Sequence, residues 1–125
     1  MTSTNLGNNS IIAAIDQGTS STRVILYNSL GNSIATHQVP LNLITPHPGW
    51  VEQDPLEIMD TVKECMHKAA SKAKEHGYSV FPDSIKAIGL TNQRETTVVW
   101  DKLTGKPLYN TIGTRNVDFP PSGDC

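Results

Sequence analysis

A short polar segment between two apolar runs, residues 16–23, carries the groups needed to hold phosphate. Its sequence is Asp16-Gln17-Gly18-Thr19-Ser20-Ser21-Thr22-Arg23. Gly18 allows a sharp turn and a close approach of the backbone to a ligand. Four consecutive hydroxyl residues and the N–H groups of the turn can surround phosphate oxygens. Arg23 adds a planar cation suited to phosphate, and Asp16 can hold a magnesium ion directly or through water.

The phosphate interpretation of this segment has a simpler alternative. The GxxxxGK[ST] pattern is absent, so the segment is not a Walker A loop. An ordinary hairpin turn is also rich in serine, threonine and glycine, because these residues suit tight turns. Composition alone leaves the two interpretations open.

A second polar segment also lies between apolar stretches, and its sequence is Asn92-Gln93-Arg94-Glu95-Thr96. Five polar residues cannot all be buried there, since a buried polar group without a partner costs about 1–3 kcal/mol. Arg94 offers hydrogen-bond donors beside the acceptors of Glu95, and a polyol needs both because each hydroxyl donates and accepts. The alternative, which residue types alone favour, is a solvated loop with an incidental charge pair.

The elements that must position these segments are predicted to be three strands, a helix and further strands. Apolar and β-branched stretches joined by short turns predict an antiparallel meander at residues 11–15, 23–27 and 33–39. Three prolines and one glycine predict a connecting loop at 40–53. Residues 85–90 and 97–100 are predicted strands, and the latter is followed by a hairpin turn at 101–105.

The helix between the two polar segments is predicted to begin at Pro55. Asp54 is the candidate N-cap, and Glu57 stands three residues later, as in a capping box. Gly77 is the expected stop. Helical spacing predicts one apolar stripe, formed by Met59, Val62, Met66, Ala69 and Ala73.

Composition excludes several kinds of partner. The 125 residues are 37% hydrophobic and 6% aromatic, with a net charge of −2 and interspersed signs, so no basic face is expected for nucleic acid or anionic lipid. Polar residues interrupt every long uncharged run, and no transmembrane segment is predicted. Cys65 and Cys125 form no CxxC pair, and the N-terminus resembles no signal peptide, which together favour a reducing, cytoplasmic location.

The two polar segments, in their order and spacing, resemble the glycerol kinases of the FGGY carbohydrate kinase family. Three stretches carry the resemblance: AAIDQGTSSTR at 13–23, GWVEQDPLEI at 49–58, and IKAIGLTNQRETTVVWDKLTGKPLYN at 85–110. It extends over about residues 11–112, and NQRETT is specific for the glycerol branch. Three ordered matches favour the functional interpretation of both segments over the simpler alternatives.

The resemblance implies an α/β fold that is part of an actin-like, ribonuclease H-like ATPase domain. It implies that ATP, with Mg²⁺, donates its γ-phosphate to a terminal hydroxyl of glycerol. The implied nucleotide-phosphate contacts are Thr19, Ser20, Ser21 and Arg23. Asp16 matches the carboxylate near the metal, and Arg94 and Glu95 match the residues that bind the glycerol hydroxyls. Full-length relatives are expected to be homo-oligomers.

The resemblance weakens after Asn110, where the family continues with a strand bearing a tryptophan and an aspartate. The expected organisation is a disordered N-terminus at 1–9, an incomplete N-terminal kinase domain at 10–112 and a divergent, irregular tail at 113–125. The family's catalytic aspartate, a tyrosine at the glycerol site and the adenosine pocket are expected to lie beyond this chain.

The sequence therefore predicts an N-terminal fragment of a glycerol kinase that is inactive alone. Two alternatives remain. One is a truncated, non-catalytic form that acts through a partner, and the other is a fragment of another FGGY polyol or sugar kinase. The Arg94-Glu95 pair argues against the second alternative.

Overall fold

The chain folds into a mixed β-sheet with a long helix on one face. A computed structural model describes residues 10–80 and 84–113. Its strands are β1 Ile11–Gln17, β2 Ser21–Tyr27, β3 Ser33–Pro40, β4 Glu52–Gln53, β5 Ile85–Asn92 and β6 Thr111–Ile112, and its helix is α1 Pro55–Glu75. Four strands form the main sheet in the order β3-β2-β1-β5, and β4 pairs with β6 in a second, two-stranded sheet. The order of three strands, a helix and further strands matches the prediction.

The predicted antiparallel meander is confirmed, with strands longer than the apolar runs. β1 pairs antiparallel with β2, and β2 pairs antiparallel with β3. Alternate residues of β1 and β2 are buried on the helix side, among them Ile11, Ala13, Val24 and Leu26. Because β1 extends through Gln17 and β2 begins at Ser21, the turn between them is only three residues long.

β5 lies at the edge of the sheet and runs parallel to β1. α1 therefore belongs to the crossover that parallel neighbours require. The predicted strand at 97–100 is wrong, since Thr97 and Trp100 form only isolated bridges, to Ile112 and Pro107 respectively. The hairpin turn at 101–105 is confirmed, because the Asp101 N–H donates to the Lys106 carbonyl across it.

The ends of α1 lie where the sequence predicts them. The Asp54 carboxylate accepts a hydrogen bond from the Leu56 N–H at 2.8 Å, which makes it the N-cap. Gly77, with a φ of 83°, follows the C-cap, and the Tyr78 N–H returns to the Ala73 carbonyl, as helix terminations with a left-handed residue require. Glu57 does not act as a capping-box residue but fastens the preceding loop, because its carboxylate accepts two hydrogen bonds from Asn42.

The side of α1 that faces the sheet differs from the predicted apolar stripe. Its buried residues are Thr61, Cys65, Ala69, Ala70 and Ala73. Of the predicted stripe, Met59 is exposed, and Val62 and Met66 are half-buried, so the stripe's N-terminal end lies on the flank of the helix. Small side chains at the contact allow the helix to approach the sheet closely. Burial raises the pKa of the Cys65 thiol, which donates a hydrogen bond to the Thr22 carbonyl.

The predicted loop at 40–53 is only partly irregular, because its last two residues form β4. Glu52 and Gln53 pair with Ile112 and Thr111 of β6, and Glu52 also bridges back to Ile44. This second sheet brings the end of the loop against the segment that follows β5. The predictions for residues 1–9 and for the tail fall outside the described residues, apart from Gly113. Within the described part of the chain, no helix is long and apolar enough to cross a membrane.

Candidate active site

The two polar segments lie side by side at one edge of the main sheet. β1 and β5 run in the same direction, with Asp16 opposite Thr91 and Gln17 opposite Asn92, so both strands end at that edge. The turn of residues 18–20 follows one strand, and the segment of residues 93–96 follows the other. Ligands in α/β sheets bind outside the carboxyl ends of such strands. The fold therefore joins the two candidate segments into one candidate site.

The turn between β1 and β2, residues 18–20, is tight and fixed at several points. The Gly18 N–H donates to the Ser21 carbonyl at 2.9 Å, and the Leu41 N–H donates to the Ser20 carbonyl at 2.9 Å. A Cβ atom at position 18 would lie 3.2 Å from the Ser21 carbonyl oxygen, closer than most real Cβ contacts. Glycine is therefore the residue that this tight turn favours, which confirms the predicted sharp turn. The close approach of the backbone to a ligand stays a prediction.

Three of the four consecutive hydroxyl residues are at least partly exposed at the turn. Ser20 is exposed, Thr19 and Ser21 are half-buried, and the Ser21 hydroxyl accepts a hydrogen bond of 2.7 Å from the exposed Gln38. Thr22 is fully buried on the helix side, where its hydroxyl lies 2.8 Å from that of Thr61. The expectation that all four hydroxyls surround phosphate is therefore wrong for Thr22, which has a structural role.

Asp16 and Arg23 stand directly opposite each other on β1 and β2, and both are exposed. Their side chains share the face of the sheet opposite α1, because paired residues project to the same side. The described residues contain no group of three His, Cys, Asp or Glu side chains that could hold a metal ion by itself. One carboxylate together with substrate phosphates is nevertheless a usual environment for Mg²⁺, so Asp16 fits the expected ion.

Arg94 and Glu95 are exposed at the same edge, and Glu95 has an unusual backbone conformation. Its φ is 59°, in the left-handed region that residues other than glycine rarely adopt. Such conformations cost on the order of 1–3 kcal/mol and cluster at functional sites. Of the same segment, only Gln93 is buried, which confirms that the five polar residues do not all lie in the core.

Three buried glutamines connect the turn to the Arg94-Glu95 segment, and we refer to Gln17, Gln53 and Gln93 as the glutamine network. The Gln93 amide donates to the Gln53 side-chain oxygen at 2.9 Å and to that of Gln17 at 3.4 Å. Gln53 in turn donates to the Thr19 carbonyl at 2.8 Å. Gln53 was not among the residues predicted for the site. The sequence feature that could have indicated it is its position, directly before the N-cap Asp54 and within the stretch 49–58 that carries the resemblance.

A groove borders the glutamine network on the side of α1, with a volume of about 310 Å³. Its lining is partly apolar and includes Ile58 and Met59 of the helix, and Val98 and Trp100 of the segment after β5. Trp100 is 62% exposed and Trp50 is 58% exposed, so both are more exposed than packing residues would be.

The chain therefore places a tight, hydroxyl-bearing turn beside an exposed Arg-Glu pair at one edge of its main sheet. The model of the FGGY family of carbohydrate kinases, N-terminal domain, matches residues 11–116. The chain belongs to this family of kinases. Its α/β fold is accordingly part of the actin-like, ribonuclease H-like ATPase fold, as predicted.

Within the family, the chain is similar to several glycerol kinases. The chain is 52% identical over 104 residues to the glycerol kinase of Arabidopsis thaliana, covering 83% of this chain and 20% of that protein. It is 50% identical over 103 residues to a probable glycerol kinase of Caenorhabditis elegans, covering 82% and 20%. The chain thus spans about a fifth of the length of these relatives.

Solved structures show the same relationship. The structure of Plasmodium falciparum glycerol kinase with ADP matches with a TM-score of 0.74 and 40% identity, over 83% of this chain and 20% of that one. The xylulose kinase of Rhodospirillum rubrum matches with a TM-score of 0.73 but only 27% identity, over 86% and 22%. The fold is shared across the family, whereas the sequence is closer to the glycerol kinase.

Proposed function

We propose that this chain supplies the phosphate turn and the polyol-binding segment of an ATP-dependent glycerol kinase, which converts glycerol to sn-glycerol 3-phosphate. The observation that carries the proposal is the position of the Gly18–Ser20 turn beside the Arg94-Glu95 segment, with the glutamine network between them. Phosphoryl transfer depends mainly on positioning and electrostatic stabilisation, and this arrangement serves both.

The phosphate end of the site is assigned to Thr19, Ser20, Ser21 and Arg23. The turn offers backbone and hydroxyl donors within a fixed loop, and Arg23 offers a planar cation from an exposed face. Asp16, opposite Arg23, is the residue that would hold Mg²⁺ on the ATP phosphates. When bound, the ion neutralises the negative charge of those phosphates.

The polyol end of the site is assigned to Arg94 and Glu95. A guanidinium provides donors and a carboxylate provides acceptors, so together they match hydroxyl groups that do both. The left-handed backbone of Glu95 turns the chain sharply beside the buried Gln93, and both charged residues are exposed there. A sugar kinase remains the alternative, because xylulose and gluconate kinases share the fold at 26–27% identity.

The rest of the proposal depends on the family relationship. We assign residues 10–112 to part of the N-terminal kinase domain and expect the whole kinase to be a cytoplasmic homo-oligomer. The catalytic base and the adenosine pocket are assigned to the part of the kinase beyond these residues.

The test uses a completed kinase, in which residues 11–112 of this chain replace the matching segment of the Arabidopsis thaliana glycerol kinase. Arg94→Ala and Glu95→Ala should each lower kcat/KM for glycerol about 10- to 100-fold, since a hydrogen bond to a charged group contributes about 1.5–3 kcal/mol. The KM for ATP should change less than about threefold.

The matched control is Lys102→Ala, which removes an exposed cation from the neighbouring 101–105 turn and should leave both substrates unaffected. Xylulose and gluconate are assayed in parallel with glycerol. Wild-type kcat/KM for glycerol in either site variant would remove that residue from the site. A preference for either sugar substrate over glycerol would replace the proposed substrate.

A further inference from the structure

We infer that Gln53 is a positioning residue, which sets the distance between the phosphate turn and the polyol segment through the glutamine network. The inference rests on the proposed function, because it assigns the two connected segments to the two substrates. It adds a residue that contacts neither substrate yet touches both of the segments that do. Gln53 lies in the loop before α1, far in sequence from Thr19 and from Gln93.

The hydrogen bonds of Gln53 run in one direction, from the polyol segment to the phosphate turn. Gln93 donates to Gln53 at 2.9 Å, and Gln53 donates onward to the Thr19 carbonyl at 2.8 Å. Chains in which each amide donates to the next polarise one another and strengthen cooperatively. Gln53 is thus the middle member of a continuous connection between Thr19 and the residue immediately before Arg94.

Gln53 and its partners are held firmly. The exposed fractions are 4% for Gln53, 7% for Gln17 and 9% for Gln93, so water has little access to their amides. The backbone of Gln53 is fixed as well, because it pairs with Thr111 of β6 and its carbonyl accepts a hydrogen bond from the Thr111 hydroxyl. A buried connection with few alternative partners transmits position more rigidly than an exposed one.

The reaction itself gives such a connection a purpose. The acceptor hydroxyl and the γ-phosphate must be held at reacting distance, and a misplacement of about 1 Å can cost about 100-fold in rate. The parallel pairing of β1 and β5 aligns the strands up to Gln17 and Asn92, but the two loops beyond these residues leave the sheet. The glutamine network connects the loops directly where the sheet no longer does.

The test compares Gln53→Met and Gln53→Glu in the completed kinase. Methionine keeps the length of the side chain but loses both hydrogen bonds, and we expect kcat to fall about tenfold or more, with each KM changing less than about threefold. Glutamate can still accept from Gln93, but its buried carboxylate cannot donate to the Thr19 carbonyl and repels that oxygen, so kcat in Gln53→Glu should fall at least as far as in Gln53→Met. Gln93→Met, which also loses the hydrogen bond to Gln17, should lower kcat at least as much, and the double variant should lower it no further than Gln93→Met does.

The matched control is Thr61→Val, which removes a buried hydrogen bond to Thr22 that connects α1 to the sheet and not the two loops. It should lower the melting temperature while leaving kcat near wild type. If kcat fell in both Gln53→Met and Thr61→Val, in proportion to the drop in their melting temperatures, the inference would be overturned. Wild-type kcat in folded Gln53→Met, or an effect confined to the KM of one substrate, would overturn it as well.

Hydrogen–deuterium exchange of the same proteins provides a measurement that does not need turnover. Gln53→Met should accelerate exchange in both residues 16–23 and residues 92–96, whereas Thr61→Val should leave residues 92–96 unchanged. If Gln53→Met accelerates exchange in both segments but the completed kinase does not use glycerol, the proposed function is refuted and the connection between the segments still holds. If the completed kinase uses glycerol, but Gln53→Met does not accelerate exchange in both segments and keeps its kcat, the function holds and the role of Gln53 is refuted.

Discussion

At the scale of single residues, the β1–β2 hairpin separates groups on the open face of the sheet from groups that pack in the core. Ser21 and Arg23 lie on the open side, whereas Thr22 between them is buried under α1 and bonded to Thr61. This alternation is a direct consequence of the two-residue repeat of a strand. A hydroxyl-rich sequence therefore overstates the number of phosphate contacts when part of it is strand.

Replacing Arg23 with alanine in the completed kinase should weaken the use of ATP and leave glycerol binding unchanged. The exposed guanidinium stands opposite Asp16 and can form a charge-assisted contact to phosphate, worth about 1.5–3 kcal/mol. We therefore expect kcat/KM for ATP to fall about 10- to 100-fold, measured by steady-state kinetics. Arg23→Lys should recover part of the loss, because it restores the charge without the planar fork. Unaltered kinetics for both substrates in Arg23→Ala would exclude Arg23 from the site.

At the scale of elements, local patterns predict the meander and the helix but not the long-range pairing. Asp54, Pro55 and Gly77 mark the helix ends because capping depends on neighbouring residues. The parallel pairing of β5 with β1 involves residues more than 70 positions apart, and nothing local encodes it. The two-residue strands β4 and β6 are too short to leave a periodic signal, and they exist because Glu52–Gln53 meets Thr111–Ile112 in space.

The same limit explains which parts of the site the sequence revealed. Residues 16–23 and 92–96 were recognisable because polar residues interrupt apolar runs, and the resemblance supplied their roles. Gln53 was not recognisable from the sequence, because its importance depends on hydrogen bonds to Thr19 and Gln93, which are 34 and 40 residues away. The exposure of Trp100 could not be predicted either, because the strand expected at 97–100 does not form.

The turn at 101–105 should be sensitive to acid because one carboxylate organises it. Hydrogen bonds from the Thr104 N–H and hydroxyl, and from the Leu103 N–H, lower the pKa of Asp101. Since the folded pKa lies below the unfolded one, the carboxylate stabilises the turn at pH values above the unfolded pKa. That contribution is lost as the pH falls through the lower, folded pKa.

The effect can be followed through the Thr104 amide proton in an NMR titration of the completed kinase. Its resonance should move in a single step centred below the ordinary aspartate pKa of 3.8. Asp101→Asn should abolish this step, and Asp60→Asn, on the exposed surface of α1, should leave it in place. A titration of Asp101 at or above its ordinary pKa would contradict the assigned hydrogen bonds.

At the scale of the whole molecule, one part of the sheet is covered and another is not. Ile88 and Leu90 on β5 share a face of the sheet with Ala13 and Ile15 of β1. Because α1 packs over β2 and β3 instead, Ile88 is 56% exposed and Leu90 is 70% exposed. The nearby flank of the helix adds Met59, which is 52% exposed. β5 is also an edge strand of the main sheet. An apolar edge strand of this kind is a template for association with other chains.

The 125-residue chain by itself is therefore expected to aggregate and to have no measurable glycerol kinase activity. Its described residues provide the Gly18–Ser20 turn and the exposed Asp16, Arg94 and Glu95, to which we assign phosphate, metal and glycerol contacts. The base and the adenosine pocket are assigned to the rest of a whole kinase. Exposed contacts to phosphate are weak at cellular salt, so ATP would be held poorly. The assay measures ATP-dependent formation of glycerol 3-phosphate by the purified chain, with its Arg94→Ala variant and the Arabidopsis thaliana enzyme as controls. Light scattering of the same samples reports association. Turnover clearly above that of the Arg94→Ala variant would contradict this prediction. It would mean that a chain matching about a fifth of the length of its relatives suffices for catalysis.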